Sequence, residues 1–237
     1  MDESMIAAIV TRRWALAQGY QAVELETKHC AELPPFGDGA IVDLASDNES
    51  RVGRTHPLWR IPSRSDAFVV AVRHDADRGI NRQGSDFLWN RGDEIYVGSP
   101  RETAVVMEQN ARYILFSAGV GAKAIAGVAR NIASASGCRL EVHNFARTPE
   151  RAVFRSDLDD LRDHAQVNHR IGLSEEQIAS AAAHALSPTH ANSYVICSGP
   201  PSFMKLIERQ ALQWVYPSNV HKIVLGERAF GERYYER

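Results

Sequence analysis

The stretch Arg112-Tyr113-Ile114-Leu115-Phe116-Ser117-Ala118-Gly119-Val120-Gly121-Ala122-Lys123-Ala124 decides how the second half of this chain is read. Tyr113 to Phe116 read as a buried strand. Gly119, Gly121 and Ala124 then fall at the small-residue spacing of a dinucleotide-binding turn, and Ile125, Val128, Ala129 and Ile132 recur at helical spacing. Glycine lets the backbone turn sharply and lets a pyrophosphate come close, and the helix start behind it offers free N–H groups and a positive dipole end. A tight strand-to-helix turn also uses glycine for purely steric reasons. The pattern gains its weight from what surrounds it.

Downstream of this turn, strand and helix alternate. A strand over Arg139–Phe145 is followed by helices near Ala152–Leu161 and over Glu175–Ala185, the latter opened by Ser174 as N-cap with Gln177 three residues on. The strand Tyr194–Cys197 leads through Gly199-Pro200-Pro201 into a helix over Ser202–Gln213, and a last strand lies near Val220–Val224. Such alternation predicts a parallel sheet with helices on both faces. Upstream the pattern differs. Met5–Val10, Gln21–Glu26, Ala40–Leu44, Phe68–Arg73 and Glu94–Val97 are short β-type runs separated by Pro34-Pro35, Gly37-Asp38-Gly39, Pro57, Pro62 and Arg91-Gly92-Asp93. They predict an antiparallel β-barrel, with one helical turn near Gly84–Trp89. The fold class expected is therefore β followed by α/β, with a barrel over 1–105 and a nucleotide-binding-type domain over 106–237.

Bulk properties narrow the partners. The chain has 237 residues, 44% hydrophobic and 24% charged, as an ordinary globular protein has. A net charge of −2 offers no basic field for nucleic acid. The three cysteines, Cys30, Cys138 and Cys197, are scattered, with neither disulfide-framework nor metal-ligand spacing. The start Met1-Asp2-Glu3-Ser4 is acidic where a signal peptide is basic, and no apolar run reaches the length of a membrane span. A cytoplasmic protein without metal or membrane partner is expected.

Several landmarks in order carry a family resemblance: Leu33-Pro34-Pro35-Phe36, Gly84-Ser85, Arg91-Gly92-Asp93, Ser99-Pro100-Arg101, Ala118-Gly119-Val120-Gly121, Ala146-Arg147-Thr148-Pro149-Glu150-Arg151 and Ser198-Gly199-Pro200. From about Ile6 to Leu225 the chain resembles the ferredoxin–NADP reductase superfamily, and within it the phthalate dioxygenase reductase and vanillate demethylase reductase group. The resemblance implies a flavin held by the barrel and a nicotinamide presented to it by the α/β domain. Most members of the group pass electrons on to a C-terminal plant-type 2Fe–2S domain. Here the chain stops at Arg237, and three scattered cysteines do not supply four ligands, so no iron–sulfur cluster is expected.

The sequence also departs from the family's pattern. Where the family has Arg-x-Tyr-Ser against the flavin, this chain reads Pro57-Leu58-Trp59-Arg60-Ile61-Pro62-Ser63. In one register Trp59 stands for the tyrosine and Arg60 for the serine; in another, Arg60 and Ser63 are kept and the aromatic is lost. Gly-Gly-Ser survives as Gln83-Gly84-Ser85, the Thr-Pro after the glycine turn reads Lys123-Ala124, and Cys-Gly-Pro reads Ser198-Gly199-Pro200.

Each candidate residue has two readings. Gly84 and Ser85 either meet a flavin phosphate or only cap a helix. Trp59 stacks on a flavin or covers a barrel end, and Arg60 binds phosphate or is solvated. Gly119, Gly121 and Lys123 are the nucleotide-proximal candidates, with an exposed helix lysine as the alternative for Lys123. Arg147 follows the second α/β strand, where a ribose or its 2′-phosphate is read, and it leans toward NADP. Ser198, the catalytic candidate, and Gly199 lie under a nicotinamide or only turn the chain. The C-terminal run Phe230–Arg237, rich in Tyr and Arg, is a candidate partner surface.

The resemblance thus implies an NAD(P)H-dependent flavin oxidoreductase that uses FMN, with FAD as the alternative, and NADH or NADPH. It would pass electrons to a separate oxygenase, demethylase or ferredoxin-like component in a hetero-oligomer. The alternative is a reductase-like subunit that has lost flavin or nucleotide and serves as a scaffold.

Overall fold

The computed structural model describes residues 5–28, 33–46, 52–61, 64–74, 89–103, 107–134, 137–188 and 192–229. Gly84, Ser85, the helical turn expected near them and the run Phe230–Arg237 lie outside the described residues.

Six strands close into an antiparallel barrel: β1 (Ile6–Ala17), β2 (Tyr20–Thr27), β3 (Ile41–Ala45), β4 (Val52–Ile61), β5 (Arg64–Arg73) and β6 (Glu94–Val97). Their order around the barrel is β1-β2-β5-β4-β3-β6, and the β6–β1 pairing closes the ring. Alternate residues fill the interior. Val10, Leu25, Val42, Leu44, Leu58, Phe68, Val70, Ile95 and Val97 are all buried in one apolar cluster. The sequence reading has no strand over β4, because Pro57 counts there as a breaker. In the structure Pro57 stands opposite Ile41 in the β3–β4 register, and the next residue, Leu58, donates its N–H to the Ala40 carbonyl at 2.9 Å. The ladder steps over the missing donor.

The chain leaves the barrel through Ser99-Pro100-Arg101. Arg101 grips the buried Asp43 through both guanidinium nitrogens, at 2.5 and 2.9 Å, and Thr55 Oγ1 donates to the same carboxylate at 2.5 Å. A buried carboxylate needs this much compensation.

The second sheet is parallel. Its strands are β7 (Arg112–Ala118), β8 (Arg139–Ala146), β9 (Gln166–Ile171), β10 (Ser193–Ser198) and β11 (Val220–Ile223), in the spatial order β11-β10-β7-β8-β9. Helices cover both faces. Tyr113 and Leu115 of β7 pack with Ile125, Val128 and Ile132 of α1 (Gly121–Ala133), on the face that α2 (Arg155–Asp159) also covers. Ile114 and Phe116 pack on the other face with Ala182 and Leu186 of α3 (Glu175–Leu186) and Ile207 of α4 (Pro201–Ala211). Burial on both faces explains the unbroken apolar run Tyr113–Phe116 of β7. Helix α3 begins as expected: Ser174 Oγ accepts from the Gln177 N–H, and the Gln177 side chain accepts from the Ser174 N–H.

Strand β12 (Gly226–Ala229) returns to the barrel and pairs antiparallel with β4. The two halves also meet through Gly39, whose φ is +83°. A Cβ there would stand 2.8 Å from Gly127 Cα in α1, so glycine on both sides permits the contact. No helix among the described residues is long and apolar enough to cross a membrane.

Candidate functional site

In the parallel sheet the chain runs from β7 through α1 to β8 on one side, and returns from β9 through α3 to β10 on the other. The strand order therefore reverses between β7 and β10. A crevice opens outside the carboxyl ends of strands at such a point, and it is where open α/β sheets bind ligands. A cavity of ≈ 310 Å³ lies there. Ala118 and Gly119 at the end of β7, Ala146 and Arg147 at the end of β8, and Pro200 after β10 line it, over an apolar floor that includes Phe145, Phe203 and Leu206.

The cavity is cationic. Arg73, Arg147, Arg151 and Arg170 line it, against a single carboxylate, Glu175. This is a concentrated positive field on a chain whose net charge is −2. Arg170 Nε is buried without a hydrogen-bond partner among the described residues. Arg170 is itself a lining residue, and guanidinium groups around a cavity fit an anionic ligand. The donor set thus fits a dinucleotide with its phosphates.

Of the sequence-predicted residues, Gly119 and Arg147 line this cavity. Gly119 has φ +58°, and it faces the hydroxyl of Tyr20. Gly121 and Ser198 sit against each other beneath the turn. A Cβ on Gly121 would stand 2.5 Å from the Ser198 carbonyl carbon. Ser198 is fully buried, and its hydroxyl donates to the Ile223 carbonyl at 2.9 Å, so it ties β10 to β11. Gly199 packs on Phe203 and Ala118; a Cβ there would meet Phe203 Cδ1 at 2.9 Å. Cys197 is buried in the core beside α4, and burial pushes its thiol up to about 12. It is an inert core thiol.

Lys123 lies elsewhere. It is 8% exposed, ion-paired with Asp157 of α2, and its ammonium lies 5.2 Å from the centroid of Trp59 and 5.6 Å from that of Phe154. Trp59 and Phe154 meet edge to face at 5.5 Å. The structure thus brings Trp59 and Lys123 together at the seam between barrel and α1, whereas the sequence reading assigns them to different cofactors. Arg60 stacks its guanidinium on Phe36 at 4.2 Å.

Two features escaped the sequence reading. Tyr20 and Arg73 come from the barrel, yet they line the cavity of the other domain. On β4, Arg54-Thr55-His56 repeats the Arg-x-ring spacing of the flavin motif a few residues before the registers considered above. His56 Nδ1 donates to the Ala71 carbonyl at 3.1 Å, which leaves Nε2 as a buried acceptor without a partner among the described residues. Burial, above all, holds this imidazole down to about 4, so it is neutral. His56 shares its face of β4 with Leu58 and packs on Trp89 toward the barrel core, whereas Trp59, three residues on, faces the other side with Lys123 and Phe154; of the two, the half-buried ring of Trp59 is the surface that fits a flavin.

The closed six-stranded barrel, followed by a five-stranded parallel sheet with a switch-point cavity, is the ferredoxin reductase-like fold. In sequence the chain is similar to phthalate dioxygenase and vanillate demethylase reductases. It is 24% identical over 218 residues to phthalate dioxygenase reductase of Burkholderia cepacia, covering 90% of this chain and 66% of that protein. It is 28% identical over 203 residues to a vanillate O-demethylase oxidoreductase of Pseudomonas sp., covering 84% of this chain and 62% of that protein. The solved structure of phthalate dioxygenase reductase, which carries electrons from pyridine nucleotides to a 2Fe–2S centre, superposes with a TM-score of 0.65 at 21% identity. That match covers 94% of this chain and 68% of the other. The chain thus spans about two thirds of the length of these relatives. No family model matches it.

Proposed function

We propose that this chain is an NAD(P)H-dependent flavin oxidoreductase, the reductase component that supplies electrons to a separate oxygenase or demethylase partner. The observation that carries the reading is the arginine-lined cavity at the β7/β10 switch point, on a chain homologous to reductases of such systems.

The geometry supports the following roles. Ala118 and Gly119 line the crevice in which the nucleotide lies, and the arginines neutralise its phosphates. Arg147 follows β8, the position from which a ribose 2′-position is read, and its guanidinium suits a 2′-phosphate. NADPH is therefore the proposed donor. On the barrel, β4 offers the half-buried ring of Trp59 to a flavin, and FMN is the proposed flavin on the strength of Gly84-Ser85 in the sequence. When bound, the flavin supplies the hydride acceptor and the one-electron chemistry; the protein supplies binding, orientation and exclusion of water. The scaffold alternative is not favoured over this reading.

The test is the reduction of an artificial acceptor, ferricyanide, by protein supplied with FMN or FAD and with NADPH or NADH. Turnover that needs both flavin and nucleotide supports the reading. Protein that binds dinucleotide but gives no flavin-dependent turnover contradicts it.

A further inference from the structure

We infer that the barrel itself grips the nucleotide, through the cross-strand pair Tyr20 and Arg73; this rests on the nucleotide reading of the cavity. Tyr20 opens β2, Arg73 closes β5, and the two are register partners in the β2–β5 ladder. Directly opposed residues in an antiparallel pair put their side chains on the same face of the sheet. That face is turned toward the other domain, because both side chains line the cavity that Gly119, Arg147 and Pro200 line from the parallel sheet.

Two backbone hydrogen bonds hold the pair in place. His74 N donates to the Gly19 carbonyl at 2.8 Å and closes the end of the ladder. Gln18 N donates to the Glu150 carbonyl at 2.8 Å. Glu150 belongs to the single 3-10 turn Pro149–Arg151 that follows β8, so the tip of the barrel hairpin is bonded to the segment that carries Arg147 and Arg151.

Tyr20 also reaches the glycine turn. A Cβ built on Gly119 would stand 2.8 Å from Tyr20 Oη and 3.4 Å from its Cζ, so the phenol tip rests over the turn at the end of β7. A tyrosine there offers a flat apolar face and a polar tip, which suits a ribose or a planar heterocycle. A guanidinium beside it suits phosphate, which it can meet with two parallel hydrogen bonds. The nucleotide is then held from both sides, by strand ends of the parallel sheet and by strand ends of the barrel. This assigns to Tyr20 and Arg73 a positioning role that neither the glycine turn nor Arg147 fills.

The test uses the full chain and measures the Kd for NADPH and for NADH by calorimetry, in wild type, Tyr20→Phe, Tyr20→Ala and Arg73→Gln, with flavin retention and far-ultraviolet circular dichroism recorded in parallel. Tyr20→Ala is expected to raise the Kd for both dinucleotides by about tenfold, and Tyr20→Phe by no more than about threefold because the ring remains. Arg73→Gln is expected to raise the Kd for NADPH by about tenfold and to flatten its dependence on salt, since one phosphate-facing charge is gone. Flavin retention stays at the wild-type level in all three. Wild-type affinities in Tyr20→Ala and Arg73→Gln, with wild-type spectra, overturn the inference while leaving the nucleotide reading intact. If Tyr20→Ala does not fold, Arg73→Gln decides on the same terms. A wild-type chain that binds neither dinucleotide overturns the nucleotide reading, and this inference with it.

Discussion

Gly121 and Ser198 touch: a side chain on Gly121 would begin 2.5 Å from the Ser198 carbonyl carbon and 2.7 Å from its Oγ. The glycine turn after β7 and the Ser-Gly-Pro turn at the end of β10 are therefore packed as one unit, at the point where the strand order reverses. Gly121→Ala is expected to destabilise the whole chain by about 2 kcal/mol, because Ser198 backbone rather than a flexible side chain must move. Urea unfolding measures it. A midpoint within error of wild type would show that the contact relaxes freely.

Lys123 separates structure from binding. Its ammonium is ion-paired with Asp157 and flanked by the rings of Trp59 and Phe154, away from the cavity-lining residues. Lys123→Ala leaves Asp157 without its closest cation and opens a void at the seam, a loss of about 3 kcal/mol. The folded variant should bind NADPH within about threefold of wild type. A large loss of affinity with little loss of stability would return Lys123 to the nucleotide.

Arg147 bears on the choice of dinucleotide. Arg147→Ala is expected to weaken NADPH binding by about tenfold, roughly 1.4 kcal/mol, and NADH binding far less. Parallel titrations with the two nucleotides read the ratio directly. Equal losses would mean that Arg147 meets the pyrophosphate they share.

The imidazole of His56 makes stability depend on pH. Burial, first of all, lowers it from 6.5 to about 4 in the folded chain. Between those values the unfolded chain binds a proton that the folded chain does not, so stability falls as pH is lowered through this window. The full effect is about 3 kcal/mol. In His56→Gln the side chain still donates to the Ala71 carbonyl but does not titrate. The stability difference between pH 7 and pH 5, measured by urea unfolding, should shrink in that variant. An unchanged difference would assign the pH dependence to other groups.

The α/β half was legible because its signals are local. Each strand and its covering helix follow one another in sequence, and Ser174 with Gln177 announces α3 within four residues. The barrel was legible as a class but not strand by strand. Pro57 and the polar residues Arg54, Thr55 and His56 before it hid β4, whose pairing with β3 and β5 is long-range. Strand β9, Gln-Val-Asn-His-Arg-Ile, lies at the sheet edge and carries too few apolar residues to stand out. The site was half legible. Gly119 and Arg147 follow strands in an expected order, whereas Tyr20 and Arg73 reach the cavity only through tertiary packing, which no local pattern records. Ser198 looked like a catalytic hydroxyl because sequence shows residue type but not direction; its partner, the Ile223 carbonyl, is 25 residues away.

The central claim is that this chain moves electrons from a nicotinamide dinucleotide to a flavin. The most direct test is the visible spectrum of the purified protein, supplied with FMN and titrated with NADPH in the absence of oxygen. The account predicts a protein-bound flavin band near about 450 nm that bleaches as NADPH is added. A protein that retains no flavin, or whose bound flavin keeps its colour at saturating NADPH and NADH, would contradict it.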